Sequence, residues 1–74
     1  MKTGIVKIWQ KERGYGYITP DDGGNDVFVH FNGIDVPGFK VLQQGEKVSY
    51  VLVQGFKAPQ AAQVKPIIKK AYEV

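Results

Sequence analysis

The chain has 74 residues, no cysteine and a formal charge of +3, from ten Lys and Arg against seven Asp and Glu. That length makes one small domain, able to bury only about 60% of the surface its unfolded chain exposes. Without cysteine there are no disulfides and no thiolate metal sites, and no run of about 18 apolar residues exists to span a membrane as a helix.

Small secreted domains commonly depend on disulfide or metal staples, so the cytoplasm is the expected location. Met1-Lys2-Thr3-Gly4 leads directly into strand-like sequence, without the apolar stretch of a signal peptide. The charge is uneven. Residues 1–40 balance five basic against five acidic side chains, whereas residues 41–74 set Lys47, Lys57, Lys65, Lys69 and Lys70 against Glu46 and Glu73. Such an excess suits a polyanionic partner.

In chain order, Thr3–Gln10 alternates as a first strand and Lys11–Gly14 is a polar turn. Tyr15–Thr19 is a short second strand, and Pro20-Asp21-Asp22-Gly23-Gly24-Asn25 a dense turn signal. Asp26–Phe31 is a third strand, rich in aromatic and β-branched residues. Asn32–Gln44, with Gly33, Pro37 and Gly38, is a long connection. Glu46–Gln54 is a fourth strand, Gly55–Pro59 a loop, and Gln60–Ile68 a fifth strand that Pro66 interrupts late. No window longer than about ten residues carries a helical period. Five short antiparallel strands must deal with their edges, and closing them into an OB-type barrel does so. The predicted fold is all-β, a five-stranded antiparallel OB-fold barrel over residues 1–66, with a short basic extension at 67–74.

Alternation assigns faces. Ile18, Val27 and Val29 point inward, leaving Tyr15, Tyr17, Phe28 and His30 outward. In the first strand it places Val6 and Ile8 inward, and Lys7 and Trp9 outward. A local bulge near the Lys11–Gly14 turn is the competing arrangement, and would let both Ile8 and Trp9 reach the outer face, Ile8 as a non-stacking contact. A sheet face of aromatics edged by cations is costly to leave in water without a use. Unpaired nucleobases supply one, because each has a flat face that stacks on a ring while Lys and Arg neutralise phosphates. Against this stands the ordinary tendency of small β proteins to bury aromatics. A second reading is an SH3-like barrel that takes a proline-rich peptide on its aromatic face. The bracketing of the aromatics by Lys7, Arg13 and Lys57, rather than by acids, favours phosphate.

Other features read as structural. His30 is the sole histidine and has no acid at helical spacing, which argues against a metal ligand or catalytic base. The Asp21–Asp26 run lacks the closing Glu of a calcium loop, with Asn32 or Gly33 at the twelfth place. Gly14-Tyr15-Gly16 precedes no helix, so it is no phosphate cradle, and Gly16 serves close strand packing. Ser49 and Thr19 have no base partner for nucleophilic catalysis. Lys65, Lys69 and Lys70 either steer a polyanion or form a solvated tail.

At these residues a family resemblance emerges. Arg13-Gly14-Tyr15-Gly16-Tyr17-Ile18 resembles the first ribonucleoprotein motif of the bacterial cold-shock proteins, usually Lys-Gly-Phe-Gly-Phe-Ile. Asp26-Val27-Phe28-Val29-His30-Phe31 is similar to their second motif, unchanged. Gly38-Phe39-Lys40 followed by Gly45 resembles the family's long connection, and Ala58–Val64 its Gly-Pro-Gln-Ala-Ala-Asn-Val segment. The likeness covers about residues 2–65. It implies an OB-type barrel that binds single-stranded RNA and DNA with low sequence specificity. The implied role is that of an RNA chaperone or antiterminator, with no cofactor or metal. The residues themselves give no reason to expect enzyme activity, a membrane partner or a small-molecule substrate, and a monomer is the default state.

Carried over by residue, the resemblance implies binding positions at Lys7, Tyr15, Tyr17, Phe28, His30, Phe31 and Phe39, with polar contacts from Asp26 and from Arg13, where the family has lysine. Lys57 takes the place of an arginine in the last loop, beside Phe56. The family's strand-one Lys-Trp-Phe-Asn is here Lys7-Ile8-Trp9-Gln10, so one stacking ring is missing or displaced to Trp9.

Overall fold

The computed structural model describes residues 1–35, 42–55 and 58–67. Five strands, β1 (Lys2–Gln10), β2 (Tyr15–Pro20), β3 (Val27–His30), β4 (Lys47–Gln54) and β5 (Pro59–Pro66), close into a barrel in the order β1-β2-β3-β5-β4. The expected third strand is one residue shorter at each end, losing Asp26 to the preceding connection and Phe31 to a single 3-10 turn over Phe31–Gly33. Among the described residues no helix is long and apolar enough to cross a membrane.

The barrel is all-β and of OB type, but its pairing is not wholly antiparallel. β3 runs parallel to β5, with Phe28 opposite Gln60 and Val29 opposite Ala61, while the other four pairings are antiparallel. Parity requires this. An odd number of strands cannot alternate direction all the way round a closed ring, so one seam must be parallel.

The core follows the two-residue period of each strand. β2 turns Gly16, Ile18 and Pro20 inward, and β3 turns Val27 and Val29 inward. Val6, Val48, Tyr50, Ala61 and Val64 meet them, joined by Ile34 and Leu42 from the connection. Burying a valine such as Val29 fully contributes roughly 1.5–3 kcal/mol.

Two irregularities interrupt the ladders. On β1, Val6 pairs with Ile18 but Ile8 pairs with Tyr17, so Lys7 is the extra residue of a bulge. Val6 at the same place exchanges bonds with the approach to β4: Val6 N–H donates to Glu46 O (2.9 Å) and Gly45 N–H to Val6 O (2.7 Å). On β5, Lys65 opposes Ser49 but Ala62 opposes Val51, and Gln63 fits the extra position with a left-handed φ of 51°.

Candidate nucleic-acid interface

The outer face collects aromatic side chains from β2 and β3 because both strands send their small or branched residues inward, and β1 borders it with Lys7 and Ile8. Ile8, Tyr17, Phe28 and Gln60 stand opposite one another in turn, forming one row across four strands. Tyr15 and His30 form the next row. The Phe28 ring lies between both tyrosines, with centroids 5.7 Å from Tyr15 (tilted 34°) and 5.8 Å from Tyr17 (70°, edge-on). Tyr17 is 38% exposed and Phe31 42%, large openings for rings of their size.

The next ring is placed by turns. Gly14, at φ 75°, closes the β1–β2 turn by donating its N–H to Gln10 O (2.8 Å), and its carbonyl accepts from Phe31 N–H (2.8 Å). A Cβ at Gly14 would lie 3.7 Å from the Phe31 ring, so that ring rests over the glycine. His30 packs edge-on against Phe31 at 4.6 Å, and its Nδ1 accepts from Asn32 N–H (3.2 Å). Neutral His30 therefore carries its proton on Nε2, leaving a donor for a ligand. Arg13 is exposed in the same turn as Gly14.

The opposite end of the face is charged. Lys7 Nζ donates to Asp26 Oδ2 (2.9 Å), and Thr19 Oγ1 donates to Asp26 Oδ1 (3.1 Å). The Lys7 ammonium, then the Thr19 hydroxyl, hold the Asp26 carboxyl below its ordinary range. It is thus an acceptor at neutral pH, while Lys7 stays mostly in solvent and can turn to a phosphate.

The structure brings Lys7, Arg13, Tyr15, Tyr17, Asp26, Phe28, His30 and Phe31 to this face or its rim. Phe39, Phe56 and Lys57 lie outside the described residues. Trp9 is a correction. Simple alternation puts it outward with Lys7, yet it is half-buried and packs against the core. The bulge shifts the phase by one residue, so Lys7 and Ile8 both face out and Trp9 turns in. Ile8, expected inside, is 38% exposed beside Tyr17. One signal for this lay opposite: a Cβ on Gly16 would come 2.2 Å from Ile8 O and 2.9 Å from the Trp9 ring. A glycine in mid-strand often marks such a close approach.

Residues 2–67 match the family model described as "'Cold-shock' DNA-binding domain". The chain is 53% identical over 62 residues to cold shock protein CspV of Vibrio cholerae, an alignment covering 84% of this chain and 89% of that one. It is 55% identical over 62 residues to cold shock-like protein CspG of Shewanella violacea, with the same coverage of each. A solved structure titled drosophila Unr CSD456 superposes with a TM-score of 0.76 over 95% of this chain and 28% of that one. At 16% identity, that likeness speaks for the fold alone. With the family model spanning nearly the whole barrel and relatives at about half identity, the chain belongs to the cold-shock DNA-binding domain family, whose members bind nucleic acid and are not enzymes.

Proposed function

We propose that the chain binds single-stranded RNA and DNA with low sequence specificity on the outer face of β1–β3, and that it acts as an RNA chaperone. In this reading it is a cytoplasmic monomer that keeps transcripts unpaired, in the manner of an antiterminator. The observation that carries the proposal is the Tyr15–Phe28–Tyr17 cluster, an outward aromatic platform with cationic residues at both ends. Bases stack on such rings for about 1–3 kcal/mol each, whatever their identity, which gives affinity with little sequence preference. A duplex hides its base faces and cannot use them.

Tyr15, Tyr17, Phe28 and Phe31 stack bases in this scheme. His30 Nε2 and Asp26 meet base edges, and Lys7 and Arg13 meet phosphates. The family resemblance adds Phe39 and Lys57. Trp9 is left out, since it packs inward. The test is a competition assay with a fluorescent single strand displaced by unlabelled single strand or by the matching duplex. Single strand should compete far better. Equal competition would refute the stacking platform, and displacement by a proline-rich peptide would move the face to the peptide-binding reading.

A further inference from the structure

At the end of the barrel bounded by the Asp21–Asp26 turn and the start of β5, the surface folds into a cavity of about 360 Å³. It is lined by Tyr50 of β4, whose side chain is wholly buried and whose phenol oxygen has no hydrogen-bond partner among the described residues. Such a group is costly to keep unless something satisfies it. Burial, followed by the nearby Asp22 and Asp21, raises the Tyr50 pKa above its ordinary value. The phenol therefore stays neutral and can donate or accept.

The rest of the lining narrows the ligand. Pro20, Leu52 and Pro59 supply apolar walls, and Asn25 brings an amide. Apolar walls with a few convergent polar groups suit a heteroaromatic ring better than an ion. The two lining carboxylates do not make a cation site, because Lys2 pairs with Asp22 (3.3 Å) and Lys7 with Asp26 (2.9 Å). Nor do they favour a phosphate. The cavity also adjoins the aromatic face. Asp26 lines it while holding Lys7 of the face, and Val27 lines it one residue before Phe28.

We propose that this cavity takes one unpaired nucleobase from the strand lying on the aromatic face, a shift of the lining on binding opening the Tyr50 hydroxyl, closed to solvent in this structure, to the base edge. The proposal rests on the single-strand reading above and extends it to a base held end-on rather than stacked.

The probe is an oligothymidylate of about ten nucleotides, within the usual span of an OB domain, carrying one abasic residue moved along its length. Anisotropy gives the affinity of each oligonucleotide for wild type, Tyr50→Phe and Asn25→Ala. In wild type, abasic positions on the face and one further position beyond them should each cost roughly 5-fold or more. Tyr50→Phe should weaken the intact strand by about 3- to 10-fold, and the penalty at the further position should shrink by the same factor. Asn25→Ala should act at that position too. Penalties at the face positions should not change. Thermal melting of Tyr50→Phe at or above the wild-type temperature checks that the fold is intact. If no position's penalty responds to Tyr50→Phe while face positions still cost affinity, the cavity proposal fails and the platform stands. If abasic residues cost nothing anywhere, the platform itself fails. Methyl shifts of Val27 and Leu52 with thymidine alone, and no position-dependent effect of Tyr50→Phe in the strand, would overturn the strand assignment in favour of a free nucleoside.

Discussion

Replacing Ile8 with tryptophan tests the consequence of the β1 bulge. Ile8 lies outward, 38% exposed, directly opposite Tyr17 in the row that continues to Phe28. An indole there adds a ring at the end of the row without entering the core. One more stacked base is worth about 1–3 kcal/mol, so affinity for oligothymidylate should rise roughly 5- to 150-fold. Stability should change by no more than about 0.5 kcal/mol, as for other surface substitutions. Fluorescence anisotropy with a labelled oligonucleotide reads the first quantity and urea unfolding the second. The companion change, Trp9→Phe, removes an indole N–H that is buried without a partner among the described residues. It should leave binding intact. Destabilisation of Ile8→Trp by about 1–3 kcal/mol with no gain in affinity, the signature of an overpacked interior, would refute the outward placement of Ile8.

Phe28→Ala should weaken binding by about 1–3 kcal/mol while the fold persists. Val29→Ala, wholly buried one residue on, should cost stability and affect binding only through that loss, as paired melting and binding curves will reveal. Lys7→Ala should flatten the slope of log affinity against log salt by ~0.7, one phosphate contact, which a titration at several salt concentrations measures. Asp21, Asp22 and Asp26 each titrate below the ordinary 3.8, held down chiefly by Lys47, the Gly24 N–H and Lys7 respectively. Folded values below unfolded ones mean that this stabilisation is present above the unfolded pKa and lost as pH falls through the folded values. Melting temperature should therefore hold from neutral pH to about pH 5 and drop below about pH 4, less steeply in Asp26→Asn. Gln63→Asn should raise stability by a few tenths to ~1 kcal/mol in chemical denaturation, because Asn tolerates the left-handed backbone that Gln63 adopts.

What could be read from the sequence was whatever alternation controls locally. β2 and β3 are short and regular, so Tyr15, Tyr17, Phe28 and His30 emerged outward and Val27, Val29 and Ile18 inward, as expected. Alternation has no means of registering an inserted residue. β1 therefore lost its phase after Val6, and Ile8 exchanged places with Trp9. The direction of the β3–β5 pairing was also invisible residue by residue, although counting strands in a closed ring demands one parallel seam. The Tyr50 cavity draws its lining from β1, from the stretch around the Asp21–Asp26 turn, from β4 and from the start of β5, and nothing in Val48–Val53 marks Tyr50 as part of it. Phe39 and Lys57, placed by resemblance, fall outside the described residues.

The parallel seam gives the barrel a weak joint. Phe28–Gln60 and Val29–Ala61 form its ladder, extended by the bridge between Ile34 and Val64 and by the Asp35 N–H to Val64 O bond (2.8 Å). The antiparallel joints on either side of β1 are built from near neighbours or longer ladders. A cylinder yields first along its shortest join, and β3 sits on that line while bearing Phe28 and His30. Opening of that seam would therefore loosen the binding surface with it. A bound strand that reaches from Phe28 across to Gln60 would act as a clasp over that seam, stabilising the small domain by RT ln(1 + L/Kd), where L is the free strand concentration.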